Sequence, residues 1–162
     1  MVSVMTSSTR AKWDKLSFSS TLYLRPILDT LLEHAPVEMH DELRLGLQEA
    51  LVNAAKHGNS LDPRKHVSVQ YAEIQGDYWW VITDQGSGFE VPNTCGTCPD
   101  GDDGDRTHDC GRGLFILYQV FDQVYWSPKG NEVRLCKRFR RWPSMFRRLQ
   151  GMWMINRTMA VG

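Results

Sequence analysis

Asp41-Glu-Leu-Arg-Leu-Gly-Leu-Gln-Glu-Ala-Leu-Val-Asn-Ala-Ala-Lys-His-Gly58 carries Leu43, Leu47, Ala50, Leu51 and Ala54 along one stripe, the spacing of an amphipathic helix. Asp41 stands where such a helix starts, and Gly58 supplies a stop. Glu49, Asn53 and His57 fall four residues apart, and at 3.6 residues per turn they drift only about 40° per step, so they share one face. Taken alone, a carboxylate and an amide one turn apart are more often a solvated helix surface than a site. The segments on either side change that reading.

Upstream, Lys15-Leu-Ser-Phe-Ser19 alternates apolar and polar residues, the period of a half-buried strand. Ser20 and Thr21 are placed to cap a helix over Leu22 to Glu33, with Leu24, Ile27, Leu28, Leu31 and Leu32 at helical spacing and Pro26 in its first turn. Downstream, His66 to Glu73 and Asp77 to Asp84 alternate and are rich in Val, Ile, Tyr and Trp, with Gln75-Gly76 as the hairpin turn between them. One of Trp79 and Trp80 should face the core and the other away from it. A third helix runs from Gly111 to Phe121, with Leu114, Leu117, Tyr118 and Phe121 as its buried stripe. Val124 to Trp126 and Glu132 to Phe139 then read as a final hairpin around Ser127-Pro-Lys-Gly-Asn131. The order β-α-α-β-β-loop-α-β-β predicts an α+β fold, a two-layer sandwich with helices on one face of a mixed, mostly antiparallel sheet.

The chain has 162 residues, 41% of them hydrophobic, enough for one globular domain with a core. It carries 19 basic and 19 acidic residues, and the zero net charge conceals an asymmetry. Residues 1–136 hold 12 Lys and Arg against all 19 acids, net −7, and residues 137–162 hold seven Lys and Arg with no acid, net +7. No apolar run is long enough to span a membrane, and the start lacks the apolar stretch of a secretory signal, so a cytoplasmic location is expected. Four cysteines without such a signal read as reduced thiols. The expected organisation is a polar leader over 1–13, a catalytic or binding domain over 14–139 with a long loop near 90–110, and a basic tail over 140–162.

Three features suit one ligand. Glu49 and Asn53 pair a proton acceptor with a neutral oxygen of the kind magnesium accepts. Asp84 precedes the flexible Gly86-Ser-Gly88 turn and can accept a hydrogen bond from an exocyclic amine such as adenine's. Gly111-Arg-Gly113 opens a helix, whose free N–H groups and positive dipole end attract phosphate. A nucleotide is the economical common answer.

At these residues the chain resembles the GHKL ATPase superfamily of HATPase_c type. Glu49-Ala-x-x-Asn53-Ala-x-x-His57-Gly58 looks like its N-box, Asp84-x-Gly86-x-Gly88-Phe89 its first glycine box and Gly111-Arg112-Gly113-Leu114 its second. Within it the chain is most similar to the small anti-sigma regulatory factors, serine/threonine protein kinases of the RsbW type. The resemblance implies that Glu49 is the general base acting on a partner's serine hydroxyl, Asn53 the magnesium ligand and Asp84 the adenine contact. Gly86 and Gly88 would let the backbone approach the base. Gly111, Arg112, Gly113 and Leu114 would close over the phosphates, and His57 would sit near them. ATP and magnesium are the implied cofactors, and an anti-anti-sigma antagonist and a sigma factor the implied partners, exchanged by partner switching. Self-association into a homodimer stays open. Where family members have a Gly-Thr-Thr-Val strand start, this chain has Gly130-Asn131-Glu132-Val133.

The rival reading, from a different class, is a catalytically inactive module that holds ATP or ADP and only sequesters a protein partner. Two further features stand outside both readings. Cys95, Cys98, His108 and Cys110 form a C-x2-C-x9-H-x-C pattern, which suits either a zinc ion or a reduced loop. The basic tail interleaves Phe139, Trp142, Met145 and Phe146 with its charges. That composition fits an anionic surface, or more simply a segment that contacts the acidic body or a partner; direct DNA binding is not expected.

Overall fold

A computed structural model of the chain describes residues 12–88 and 109–139. Residues 1–11 of the leader, 89–108 of the long loop and the tail from 140 lie outside them. Five strands, Asp14–Ser19 (β1), His66–Ile74 (β2), Asp77–Thr83 (β3), Gln123–Trp126 (β4) and Glu132–Arg138 (β5), form one sheet in the order β1-β2-β3-β5-β4. All four pairings are antiparallel. Three helices, Arg25–Leu32 (α1), His40–Val52 (α2) and Asp109–Val120 (α3), complete the α+β sandwich.

The period-2 pattern of the strands sets which face is covered. Val67, Val69 and Tyr71 of β2, Trp80 and Ile82 of β3, and Val133 and Leu135 of β5 are buried with Leu28, Leu31, Leu43, Leu47, Leu51 and Leu117 from the helices. Each such aliphatic side chain contributes roughly 1.5–3 kcal/mol by leaving water. Trp80 lies in this core, and Trp79, on the opposite face, pairs in register with Ala72 and Cys136. Burial pushes the Cys136 thiol up to about 11, so it stays protonated and inert at neutral pH. Between β2 and β3, Gln75 and Gly76 have φ of 56° and 88°, the two left-handed residues of a tight hairpin turn.

Several expectations shift in detail. The first helix begins at Arg25 and has no side-chain cap, because Leu24 occupies its N-cap position, and Ser20 and Thr21, four and three residues earlier, are engaged elsewhere. Ser20 is buried, with its Oγ donating to the Lys65 carbonyl, and Thr21 Oγ1 accepts the Tyr23 N–H. In α3 the buried stripe is Leu114, Leu117, Val120 and Phe121, and Tyr118 is exposed. Val120 is turned inward because α2 presses on it: a Cβ on Gly46 would stand 2.6 Å from Val120 Cγ1 and from Phe121 Cε2. That close crossing determines what the other end of α3 meets. Lys137 on β5 secures the same junction, donating from Nζ to Glu42 Oε1 and to the Val120 carbonyl at the end of α3, each at 2.6 Å.

Candidate functional site

At Asn53 the long helix widens: residues Asn53–Gly58 continue α2 as a π-helical segment. Such widened turns are rare and concentrate at functional sites. Gly58 does not end the helix through a left-handed conformation, as its position suggested. The reversal is made two residues later by Ser60 and Leu61, with φ of 57° and 55°. What demands glycine at 58 is space. A Cβ there would fall on the Asp84 carboxyl, and the Gly58 carbonyl in turn packs against Gly86. Gly86 is thus buried under the end of the helix, with its N–H donating to Asp84 Oδ1 at 2.7 Å.

One open cleft, about 730 Å³ with its mouth included, joins the three stretches. Asn53, His57 and Gly58 line it from the helix, Asp84 and Gly88 from the loop after β3, and Leu114 from α3. Ile82, Trp126 and Val133 give it apolar walls. A mostly apolar slot with a few convergent polar groups is the usual form of a small-molecule site.

Asp84 is half-buried at the end of β3. Its N–H donates to the Asn131 carbonyl (3.0 Å), and Asn131 Nδ2 donates back to the Asp84 carbonyl (3.3 Å). Asn131, which departs from the family pattern, therefore ties the carboxylate's strand to the start of β5. Burial raises the Asp84 carboxyl above the usual carboxylate range, against the Gly86 N–H and the charges of Lys129 and Lys65, which lower it. The stabilisation linked to this shift is complete below the unfolded pKa and is lost as pH rises through the folded one. Asp84→Asn, neutral at every pH and still able to accept from Gly86, should therefore melt above the parent at pH 7. The gap should close as acid protonates the parent's Asp84. Melting curves from pH 7 to 3 check this, and a gap of constant size would contradict it.

At the other end, the close crossing of α2 and α3 brings Gly113 over the helix face that carries the polar pair. A Cβ on Gly113 would lie 3.2 Å from Glu49 Oε2 and 3.5 Å from both Asn53 Oδ1 and Nδ2. Glu49 is not among the residues lining the cleft; it stands beside Gly113. The helix expected to open at Gly111 starts at Asp109, which places Gly111 in its first turn, where backbone N–H groups lack intrahelical partners, and Gly113 just beyond it. Of Cys110, Gly111 and Arg112 only the backbone is described. Cys95, Cys98 and His108 lie outside the described residues, so the zinc pattern does too. Among the described residues, no cluster of three His, Cys, Asp or Glu is placed to hold a metal.

One buried polar residue escaped the sequence reading. Asn59 is fully buried and joins β1, β2 and the loop after β3. Its only signal was its place directly after His57-Gly58, which reads as an ordinary turn residue.

An α+β sandwich with a cleft between the end of its long helix and the start of its last, lined by a half-buried Asp, defines a nucleotide-binding ATPase domain of the GHKL fold. Residues 22–137, well over half of the chain, match the family model of the histidine kinase-like ATPase domain, and the chain belongs to that family. No curated protein matches it as a relative. Among the described residues, no helix is long and apolar enough to cross a membrane.

Proposed function

We propose that the chain is an ATP-dependent protein serine/threonine kinase of the anti-sigma regulatory type. It phosphorylates an antagonist protein and holds a sigma factor in its place when that antagonist is modified. The observation that carries the proposal is the meeting of Glu49 and Asn53 with α3 at Gly113, at the α3 end of the cleft that Asn53 and Asp84 both line. A base read at Asp84 directs its polyphosphate toward that end. There the free N–H groups of the helix start receive phosphate oxygens.

The residues present fit both groups. The apolar walls suit a purine ring, Asp84 accepts from its amine, and Asn53 offers the neutral oxygen that would hold a magnesium ion. When bound, that ion neutralises charge on the transferred phosphoryl group. Glu49 accepts the proton of the acceptor hydroxyl as its oxygen bonds to the terminal phosphorus and the bond to the leaving ADP breaks. The remaining work is alignment, which is most of what phosphoryl transfer requires.

The test combines protein, labelled ATP, magnesium and a candidate antagonist bearing an acceptor Ser or Thr. Transfer of label to the antagonist is expected. Tight nucleotide binding with no labelled antagonist would leave a binding module that only sequesters its partner. Asn53→Ala should lose about tenfold in the affinity gained when magnesium is added, as read by calorimetry with and without chelator. An unchanged magnesium effect would remove Asn53 from that role.

A further inference from the structure

We propose that Asn59 is the positioning residue of the base-reading carboxylate, holding Asp84 in register with the cleft through the peptide of Gln85. The inference rests on the nucleotide reading of the cleft and extends it to a residue outside the cleft's lining. Asn59 Oδ1 accepts the Gln85 N–H at 2.7 Å. Its Nδ2 donates to Ser20 Oγ at 2.7 Å and to the His66 carbonyl at 3.0 Å. Its own N–H donates to the Ala54 carbonyl at 2.9 Å, within the π-helical segment. The side-chain amide of Asn59 therefore joins the residue after β1, the start of β2 and the residue after Asp84, and its backbone N–H ties it to the Asn53–Gly58 turn.

The orientation of that amide is unambiguous, since a backbone N–H must meet its oxygen and a carbonyl must meet its nitrogen. Asp84 is constrained on both sides. On its strand side it exchanges hydrogen bonds with Asn131, and on its loop side the next peptide N–H is held by Asn59. Gln85 is latched a second time, its Oε1 accepting the His66 N–H at 2.7 Å. Without Asn59 the Gln85 N–H loses its acceptor. The Asp84–Gln85 peptide then keeps the bond from Asn131 Nδ2 to the Asp84 carbonyl but loses its hold on the loop side, and the plane that aims the Asp84 carboxylate tilts about that remaining bond.

A purely structural role and a positioning role differ in one measurable respect, discrimination at the base. The parent should bind ATP about tenfold more tightly than purine riboside triphosphate, which lacks the amine that Asp84 accepts. Asn59→Ala should bring that ratio close to one. Ser20→Ala removes a partner of the same amide without touching Gln85, and it should keep the tenfold ratio while losing stability. A tenfold ratio retained in Asn59→Ala overturns the inference. Should Asn59→Ala fail to fold, amide exchange in the parent protein decides: strong protection of the Gln85 N–H is expected, and rapid exchange overturns the inference. A parent that binds neither triphosphate instead overturns the nucleotide reading itself, and the inference with it.

Discussion

Replacing Glu49 by Gln should lower phosphoryl transfer about 10²- to 10⁴-fold, the usual contribution of a positioned general base. Gln keeps the length and shape of the side chain and removes its ability to take a proton. Nucleotide affinity should stay within about twofold, because a loss confined to the transition state lowers kcat and leaves binding intact. The stacking of Glu49 against Gly113, 3.2 Å from where a Cβ would stand, places the carboxyl beside the helix start. The separation of the two readouts is the decisive part. Equal losses in affinity and rate would mean that Glu49 holds the nucleotide, and an unchanged rate would remove it as the base. Single-turnover transfer and calorimetry on the same preparations distinguish these outcomes.

Gly58→Ala should weaken nucleotide binding about 10- to 100-fold, the cost of misdirecting a hydrogen bond to a charged group, with little change in melting temperature. The added methyl group enters the space of the Asp84 carboxyl, the far end of a side chain that can swing aside. Folding therefore tolerates the change. Ala is also a better helix former than Gly by up to about 1 kcal/mol, which offsets part of the crowding. Recognition is expected not to tolerate it, since the displaced group is the one proposed to read the base. Lys56→Ala, an exposed neighbour on the same turn, serves as the control and should bind as the parent does. A Gly58→Ala protein with full affinity and specificity would show that base recognition does not depend on Asp84 in this position.

The two substitutions act at different places, Gly58 in the lining of the cleft and Glu49 beside Gly113 on α3. Asp84 is held by main-chain contacts to β5 and by the Asn59 amide, a rigid arrangement suited to recognition. Glu49 and Asn53 sit where α2 meets α3 at Gly113.

The elements themselves were legible in the chain. Strict alternation in His66 to Glu73 and the Leu43–Leu47–Leu51 stripe are local patterns, and local patterns survive folding because each residue's facing depends only on its near neighbours. The three polar stretches could be read as one nucleotide site for the same reason: each lies on an element whose type its own sequence sets. Other features came only with tertiary structure. Tyr118 was read as buried and Val120 was not, since which edge of the α3 stripe faces inward depends on how closely α2 approaches across Gly46. Gly58 looked like a helix terminator and proved to be clearance for a carboxyl 26 residues away in the chain. Asn59 carried no pattern at all. Its importance arises from three hydrogen-bond partners brought from distant strands and loops, and no periodicity encodes a contact of that kind.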